Sequence, residues 1–160
     1  MKLGTRGRYA VMAMVDLAKF SQKKPISLAS ISERQEISLS YLEQLFSCLR
    51  QAKLIKSIRG AAGGYLLSRP ADQVTIADIV LAVDEPIRAT RCLPNAGGCL
   101  SNSSRCLVHE LWEELGNQIH LFLRSVTLQD VCDRNVIGKN HVYPPLGTED
   151  LSVEQGQKVI

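Results

Sequence analysis

Residues 28–50, LASISERQEISLSYLEQLFSCLR, constrain the fold more than any other part of the chain, because they predict two short helices joined by a tight break. We predict a first helix over residues 28–35 and a break at Glu36-Ile37. The second helix is expected to begin at Ser38, whose hydroxyl can accept a hydrogen bond from an unpaired backbone amide. Ser40 and Glu43 form a Ser-x-x-Glu pair, so this helix could also begin two residues later. The segment therefore predicts a helix-turn-helix.

The second of these helices is predicted to be amphipathic, with one apolar and one polar face. The apolar residues recur at steps of three, four and three and predict a single buried stripe: Leu39, Leu42, Phe46 and Leu49. The opposite face carries short polar side chains: Ser40, Glu43, Gln44, Ser47 and Gln51. Such side chains can hydrogen-bond to base edges in a major groove while the stripe fixes the helix on its support. An ordinary helical hairpin with a solvated face has the same pattern, so the hairpin alone does not decide for DNA binding.

The residues that follow the hairpin favour DNA binding, because they predict a basic β-hairpin. Residues 54–59 alternate as a strand does, residues 60–64 contain three glycines and predict a turn, and residues 65–67 predict a returning strand. A helix-turn-helix followed by such a hairpin is a winged helix. Arg59, at the tip of the wing, is placed to reach a minor groove or a phosphate.

The distribution of charge points to the same half of the chain. Residues 1–70 hold twelve Lys or Arg against four Asp or Glu, a balance of +8, whereas residues 71–160 hold seven against twelve, a balance of −5. A concentrated positive field suits a polyanion such as DNA, although a solvated basic surface without a partner would look the same. Arg6 and Arg8 lie in the first turn of a helix predicted over residues 5–20, where cations oppose the helix dipole. We expect them to contact backbone phosphate.

The sequence predicts a cytoplasmic protein with no membrane partner. The longest apolar stretch, residues 76–83, is interrupted by Asp78 and is too short to span a bilayer, and no apolar run follows the N-terminus. In a reducing compartment, five cysteines favour a metal or redox role over disulfides. Two of them, Cys48 and Cys132, lie in predicted helices among apolar neighbours and are interpreted as packing residues.

We predict a mainly α fold with a small β-hairpin, in which a winged helix-turn-helix domain is joined to a long C-terminal dimerisation helix. The predicted parts are a DNA-binding domain over residues 1–70, a ligand-binding loop and dimerisation helices over residues 71–132, and a disordered tail over residues 133–160. In the second part, Thr-x-x-Asp sequences at Thr75 and Thr127 are typical of helix starts.

Residues 107–126 predict a helix with two apolar lines. One line steps by four, three, four, three and four, as a coiled-coil seam does: Val108, Trp112, Leu115, Ile119, Phe122 and Val126. The second line could face the chain's own winged helix: Leu107, Leu111 and Leu121. Because two apolar lines need two packing partners, we favour a dimer helix over a single core helix.

A segment without helical or strand period, residues 86–105, leads into a set of soft ligands: Cys92, Cys99, Cys106 and His109. Six, six and two residues separate them, and three thiols with an imidazole form a metal-ligand set. Cys106 and His109 are three residues apart at a helix start and can face one point. Zinc sites usually pair ligands at shorter spacing, so the wide spacing favours an iron–sulfur cluster over zinc or buried free thiols.

Together these motifs resemble the family of winged-helix iron–sulfur transcription regulators, which includes cluster-assembly regulators and nitric oxide sensors. The resemblance covers roughly residues 1–132 and rests on GRYAVMAMVDLA, ISLSYLEQLFSCLR, RGAAGGYLL, AVDEPIRATRC and the loop with three cysteines and a histidine. It implies a homodimer that binds a [2Fe-2S] cluster through Cys92, Cys99, Cys106 and His109. It further implies control of iron–sulfur assembly genes, with the cluster supplied by the assembly machinery and its occupancy changing which operators are bound.

Binding to double-stranded DNA at a near-palindromic operator is expected from two reading helices in a dimer. The residues predicted to contact DNA are Arg6, Ser38, Ser40, Tyr41, Glu43, Gln44, Arg59 and Gly60. Of these, the resemblance assigns family contact positions to Ser40, Glu43, Gln44 and Arg59. Glu36 stands where the family often has Gly, so a left-handed backbone there would cost about 1 kcal/mol relative to Gly.

Three alternatives share parts of this pattern. A nitric oxide-sensing repressor would hold a [4Fe-4S] cluster in the same loop. A redox enzyme or electron carrier is disfavoured, because the sequence has no Gly-rich phosphate cradle or substrate-pocket motif, and we expect no enzyme. A zinc-stabilised DNA-binding module without a switch is the third.

Overall fold

The computed structural model describes residues 4–21, 24–60, 62–84 and 104–136. Within these ranges the chain forms six α-helices, one short 3-10 helix and one two-stranded hairpin: α1 (Thr5–Ser21), α2 (Leu28–Gln35), α3 (Leu39–Gln51), β1 (Ile55–Ile58), β2 (Gly64–Leu67), a 3-10 helix (Ala71–Gln73), α4 (Ile76–Ala82), α5 (His109–Ser125) and α6 (Leu128–Cys132). The predicted mainly α fold with a small β-hairpin is confirmed. No helix in the described part of the chain has the length and apolarity that crossing a membrane requires.

Helix α1 is the central element of the core. Its residues Ala10, Ala13, Met14 and Leu17 follow the spacing of one helix face and are completely buried. Helices α2, α3, α4 and α6 and strand β2 all pack on α1. Two alanines on the buried face allow these neighbours to approach closely, so α1 holds the helix-turn-helix and the C-terminal helices in one hydrophobic core.

The turn between α2 and α3 depends on a left-handed residue. Ser27 caps α2 by accepting from the backbone amide of Ser30, and the helix ends at Glu36 with φ 54° and ψ 39°. The backbone thus adopts at Glu36 the conformation that glycine adopts at least cost. Helix α3 begins directly after Ser38, but the Ser38 hydroxyl makes no capping hydrogen bond, so that part of the prediction is wrong.

The buried side of α3 differs from the predicted stripe at two positions. Leu42, Leu45, Phe46 and Leu49 are fully buried, whereas Leu39 is 43% exposed. Leu45 lies three residues after Leu42 and four before Leu49, which centres it on the buried side. Leu39 is the first helical residue and lies at the margin of that side, where the core does not cover it.

The wing is antiparallel, with Ile55 opposite Leu67 and Ile58 opposite Gly64. A third segment joins it through Ile26, whose amide donates to the Tyr65 carbonyl at 3.0 Å and whose carbonyl accepts from the Tyr65 amide at 2.8 Å. Gly64 is required here, because a Cβ at this position would lie 2.4 Å from the Ile26 carbonyl oxygen. The wing is therefore fixed to the segment between α1 and α2, which completes a winged helix.

The two Thr-x-x-Asp sequences form capping boxes at the starts of α4 and α6, as predicted. They also pair with each other, since Thr75 and Thr127 form an antiparallel bridge. The amide of Ile76 donates to Val126 at 2.9 Å, and the amide of Leu128 donates to Val74 at 2.7 Å. This connection, which we call the threonine bridge, ties the end of α5 to the start of α4.

Helix α5 leaves most of its apolar side chains uncovered in the single chain. The line expected to face the winged helix is exposed, which corrects that prediction: Leu107, Leu111 and Leu121. In the other line, Val108, Trp112 and Phe122 are also exposed, and only Val126 is fully buried. Among the described elements α5 packs chiefly on α4, and Leu123 and Val126 at its C-terminal end join the hydrophobic core.

Two predictions fall mostly outside the described residues. The cysteine-bearing segment is described only from Ser104 onward. Of the predicted tail, residues 133–136 are described and Val136 packs against the core, while residues 137–160 lie outside the described ranges.

Candidate nucleic-acid interface

The outward side of α3 carries the polar side chains that the sequence singled out. Ser40, Glu43 and Gln44 are exposed, while the opposite side of the helix is buried in the core. A helix held in this way presents hydrogen-bonding groups without being free to rotate. These three residues lie in the first half of α3, and recognition helices bring their N-terminal residues to the base edges.

A concave surface with a volume of about 520 Å³ lies between the start of α1 and the start of α3. Its lining includes four residues predicted to contact DNA and four that the prediction missed: Ser38, Ser40, Tyr41 and Gln44, and Thr5, Tyr9, Glu36 and Ile37. We call this surface the α1–α3 groove. The rings of Tyr9 and Tyr41 meet edge to face, with centroids 6.0 Å apart. The groove thus offers hydroxyl, amide and aromatic groups, with one carboxylate at Glu36.

The missed residues belong to two elements that are distant in the sequence. Thr5 and Tyr9 are four residues apart and therefore lie on the same side of α1. Their spacing was visible in the sequence, but it does not reveal that this side meets the start of α3. Only the packing of α1 against α3 reveals it.

Arg6 lies beside α3 but outside the lining of the groove. Its Nη2 atom donates to the Cys48 sulfur at 3.4 Å, which joins the first turn of α1 to α3. Cys48 is half-buried and packs against the core, in agreement with its interpretation as a packing residue. Arg6 itself is exposed, so its charge is available to a phosphate.

The tip of the wing presents Arg59 and Gly60, both exposed. Gly60 has φ 115°, a region that side-chain-bearing residues rarely adopt, and its carbonyl accepts from the Gly63 amide at 2.9 Å. This bond closes the turn. Arg59 is therefore exposed beside this turn and is not among the residues that line the α1–α3 groove.

A buried carboxylate holds α2 against α1. The Asp16 side chain is fully buried and accepts from Arg34 at 2.9 and 2.6 Å and from Gln35 at 2.8 Å. The hydrogen bond to Asp16 raises the pKa of Arg34 above its ordinary value, although burial lowers it. The Arg34 guanidinium also lies 4.6 Å from the centre of the Phe20 ring. This cluster, which we call the Asp16 cluster, sets the position of α2 and of the turn that follows it.

Two of the four predicted cluster ligands are described, and they lie together at the start of α5. His109 is only 9% exposed, and its backbone amide donates to the Cys106 carbonyl at 3.0 Å. Its Nε2 atom is 3.7 Å from a carboxylate oxygen of Glu113. Cys92 and Cys99 lie outside the described residues, and in the described ranges no three side chains converge as a metal site.

Cys132, the fifth cysteine, is half-buried in α6, with its sulfur 4.0 Å from the Val15 carbonyl oxygen. Burial raises the pKa of its thiol, and the neighbouring Asp133 adds to the effect. This environment is typical of a packing residue and disfavours the thiolate that a metal ligand requires.

The chain is similar to known transcriptional regulators over most of its length. A family model described as Rrf2, iron-dependent transcriptional regulator, matches residues 3–134. The HTH-type transcriptional regulator IscR of Photorhabdus laumondii is 49% identical over 137 residues, which cover 86% of this chain and 82% of that protein. The IscR of Escherichia coli K12 is 45% identical over 156 residues, covering 94% and 95% of the two chains.

Solved structures show the same architecture. CymR, the global cysteine regulator of B. subtilis, superposes with a TM-score of 0.70 at 37% identity, covering 84% of this chain and 98% of that one. An IscR from T. potens superposes with a TM-score of 0.69 at 36% identity, covering 84% and 88%. One architecture therefore accompanies differently named regulators, and the fold alone does not identify the signal.

Proposed function

The chain belongs to the Rrf2 family of transcriptional regulators, and on that premise we propose that it senses an iron–sulfur cluster as a homodimer and controls iron–sulfur assembly genes. As a member of this family it is a DNA-binding regulator and not an enzyme. The observation that carries the proposal is the exposed polar start of α3 beside the α1–α3 groove, together with a buried histidine next to Cys106.

The proposed DNA contacts follow from the surfaces that the winged helix presents. We assign base contacts in the major groove to Ser40, Glu43 and Gln44, because serine and glutamine can donate and accept and glutamate can accept from a cytosine amine. We assign phosphate or minor-groove contacts to Arg6, Arg59 and the backbone at Gly60. Ser38 and Tyr41 supply hydroxyl groups at the α1–α3 groove and complete the set.

The proposed dimer uses α5. Six large apolar residues on or next to this helix are exposed in the single chain: Leu107, Val108, Leu111, Trp112, Leu121 and Phe122. Apolar side chains at coiled-coil spacing are stabilised when a second helix covers them. Two copies joined in this way would carry two α3 helices related by a two-fold axis, which demands a near-palindromic operator.

We assign the cluster to Cys92, Cys99, Cys106 and His109. The two donors in the described part of the chain fit such a group, since the half-buried thiol of Cys106 lies three residues before the nearly buried imidazole of His109, the first residue of α5. When bound, the cluster supplies a redox-active and dissociable group, because a neutral histidine is a weaker ligand than a thiolate. The preferred form is [2Fe-2S].

Cluster occupancy is proposed to act on DNA through α5. Cys106 and His109 lie at the start of this helix, and the threonine bridge ties its other end to α4, which packs on α1. Ordering of a segment at one end of a fixed helix is a known means of coupling two sites. Cluster binding would in this way shift the α3 helices relative to the dimer helix α5 and change which operators are bound.

The cofactor is tested on protein purified without oxygen, by visible absorbance and by analysis of iron and acid-labile sulfide. We expect two irons per subunit in the [2Fe-2S] form, and expect Cys92→Ala to lose the absorbance. Cys132→Ala is the matched control and should retain it. Four irons with a [4Fe-4S] Mössbauer spectrum would instead identify the nitric oxide sensor, and zinc without sulfide would contradict cluster sensing.

DNA binding is tested by selecting operators from a random duplex pool with the wild-type protein. We expect a near-palindromic consensus whose half-sites lie one helical turn or a multiple apart. Cys92→Ala is expected to bind a changed set of sequences. A protein that enriches no sequence would contradict specific recognition, and an unchanged set in Cys92→Ala would contradict the sensing step.

Dimerisation is tested by sedimentation of variants that place a charge on α5. Trp112→Asp is expected to shift the protein toward the monomer, because a buried carboxylate without a partner is strongly disfavoured. Leu81→Asp is the matched control, since Leu81 is exposed to a similar extent but lies on α4. If both variants dissociate to the same extent, or if neither dissociates, α5 is excluded as the interface.

A further inference from the structure

Leu39 is the first residue of α3 and is 43% exposed, although the neighbouring leucines of the same helix are fully buried. An isolated exposed leucine is common on protein surfaces and indicates nothing alone. The position of Leu39 is informative, because Ser38 and Ser40 on either side of it line the α1–α3 groove. Glu43, four residues later, lies next to Leu39 on the helix surface and is also exposed.

We propose that Leu39 determines operator specificity by packing on the C5-methyl group of a thymine in the major groove. The inference rests on the proposed function and extends it, because it names a base-reading residue of a different chemical type. Thymine is distinguished in the major groove by this methyl group, and aliphatic side chains are what recognise it. The exposed side chains of Ser40, Glu43 and Gln44 end in polar groups, which suit hydrogen bonds rather than this apolar contact.

The start of α3 suits the contact for two reasons. A recognition helix enters the groove with its N-terminal residues nearest the bases, and Leu39 is the first of them. Its exposed part is also free of other described elements, since the core covers Leu42 and Leu45 but not Leu39. The leucine can therefore become covered by DNA without any rearrangement of the protein.

The same placement of Leu39 also determines the position of the neighbouring Glu43. If Leu39 packs against a thymine methyl, Glu43 is held one helical turn further along α3, where its carboxylate faces an adjacent base pair. A cytosine amine is the base group that a carboxylate accepts from. The Leu39–Glu43 pair would thus read a thymine and a cytosine at neighbouring positions.

The test replaces single thymines of the selected operator with deoxyuridine, which removes only the C5-methyl group. For the wild-type protein we expect about fourfold weaker binding at one thymine in each half-site, the value of one buried methyl group. Leu39→Ala should bind thymine and deoxyuridine duplexes equally. Leu39→Met retains an apolar side chain and should retain discrimination, and Leu81→Ala, on α4, should behave as wild type.

The possible outcomes separate a failure of the Leu39 proposal from a failure of the proposed function. Failure to select any operator would overturn the proposed function. A selected operator at which no thymine-to-deoxyuridine change weakens wild-type binding would overturn the role of Leu39 alone. If Leu39→Ala still binds the thymine duplex more tightly than the deoxyuridine duplex, the role of Leu39 is also overturned, because the methyl contact then belongs to another side chain. Thermal unfolding of each variant, which we expect to match wild type, shows that the comparison is made between folded proteins.

Discussion

Removal of either partner of the Arg34–Asp16 pair should destabilise the protein, but by different amounts. Arg34→Ala leaves the fully buried Asp16 carboxylate with Gln35 as its remaining described donor and with no cation beside it. Removing one partner of a buried ion pair costs about 3–5 kcal/mol, because the other charge stays desolvated. We expect the lower end of that range, about 3 kcal/mol, because Gln35 still donates a hydrogen bond.

Asp16→Ala should cost less than Arg34→Ala. The Arg34 side chain is one-third exposed, so its guanidinium can turn toward water when the carboxylate is absent. We expect about 2 kcal/mol, from the lost hydrogen bonds and the small cavity. For a domain of this size the two losses correspond to about 4–12 °C in melting temperature.

The assay is chemical and thermal unfolding of wild type, the two single variants and the double variant. We expect the double variant to be less destabilised than the sum of the singles, with a coupling of at least about 1 kcal/mol. The control is Arg69→Ala, because the Arg69–Asp78 pair is 2.9 Å long but exposed on both sides and should contribute less than about 1 kcal/mol. Additive single losses, or an Arg34→Ala no more costly than Arg69→Ala, would refute the reasoning from burial.

Three further predictions concern strain, close packing and protonation. Glu36→Gly should raise the free energy of unfolding by about 1 kcal/mol because the backbone there is left-handed, whereas Glu36→Gln should not, as urea titrations will show. Gly64→Ala should weaken DNA binding in gel-shift assays at unchanged sequence preference, because a Cβ would displace the Ile26 carbonyl and detach the wing. The pKa of Cys132 is raised by burial, so its contribution to stability is present below about pH 8.5 and declines as pH rises through the folded-state value. The melting temperature of wild type should therefore fall more steeply between pH 8 and 10 than that of Cys132→Ala. Parallel curves of melting temperature against pH would contradict this account.

Local sequence signals predicted the elements well where a local rule determines them. Alternation and glycines predicted the wing, and the Thr-x-x-Asp sequences at Thr75 and Thr127 predicted the starts of α4 and α6, because capping is decided within four residues. Ser38 shows the limit of such rules. It precedes α3 as expected, yet its hydroxyl makes no capping bond.

Features that depend on distant packing could not be predicted from periodicity. Leu39 and Leu45 both fit an apolar line, and only the position of the core decides that Leu45 is buried and Leu39 is not. The α1–α3 groove required two helices from different parts of the sequence to meet at their starts. The residues Leu107, Leu111 and Leu121 fitted a contact with the winged helix, but all three are exposed, and no pattern within α5 encodes which element this helix packs on.

The threonine bridge has a consequence for how such a regulator can diversify. Because Thr75 and Thr127 form a β-bridge, the chain between them is a closed loop. Both ends of this loop are fixed at one place on the core. The entropy of closing a loop changes by only about 0.6 kcal/mol when its length doubles. Insertions or deletions among the proposed cysteine ligands are therefore expected to leave the winged helix nearly as stable as before, so the spacing of these ligands can change while the DNA-binding part is preserved.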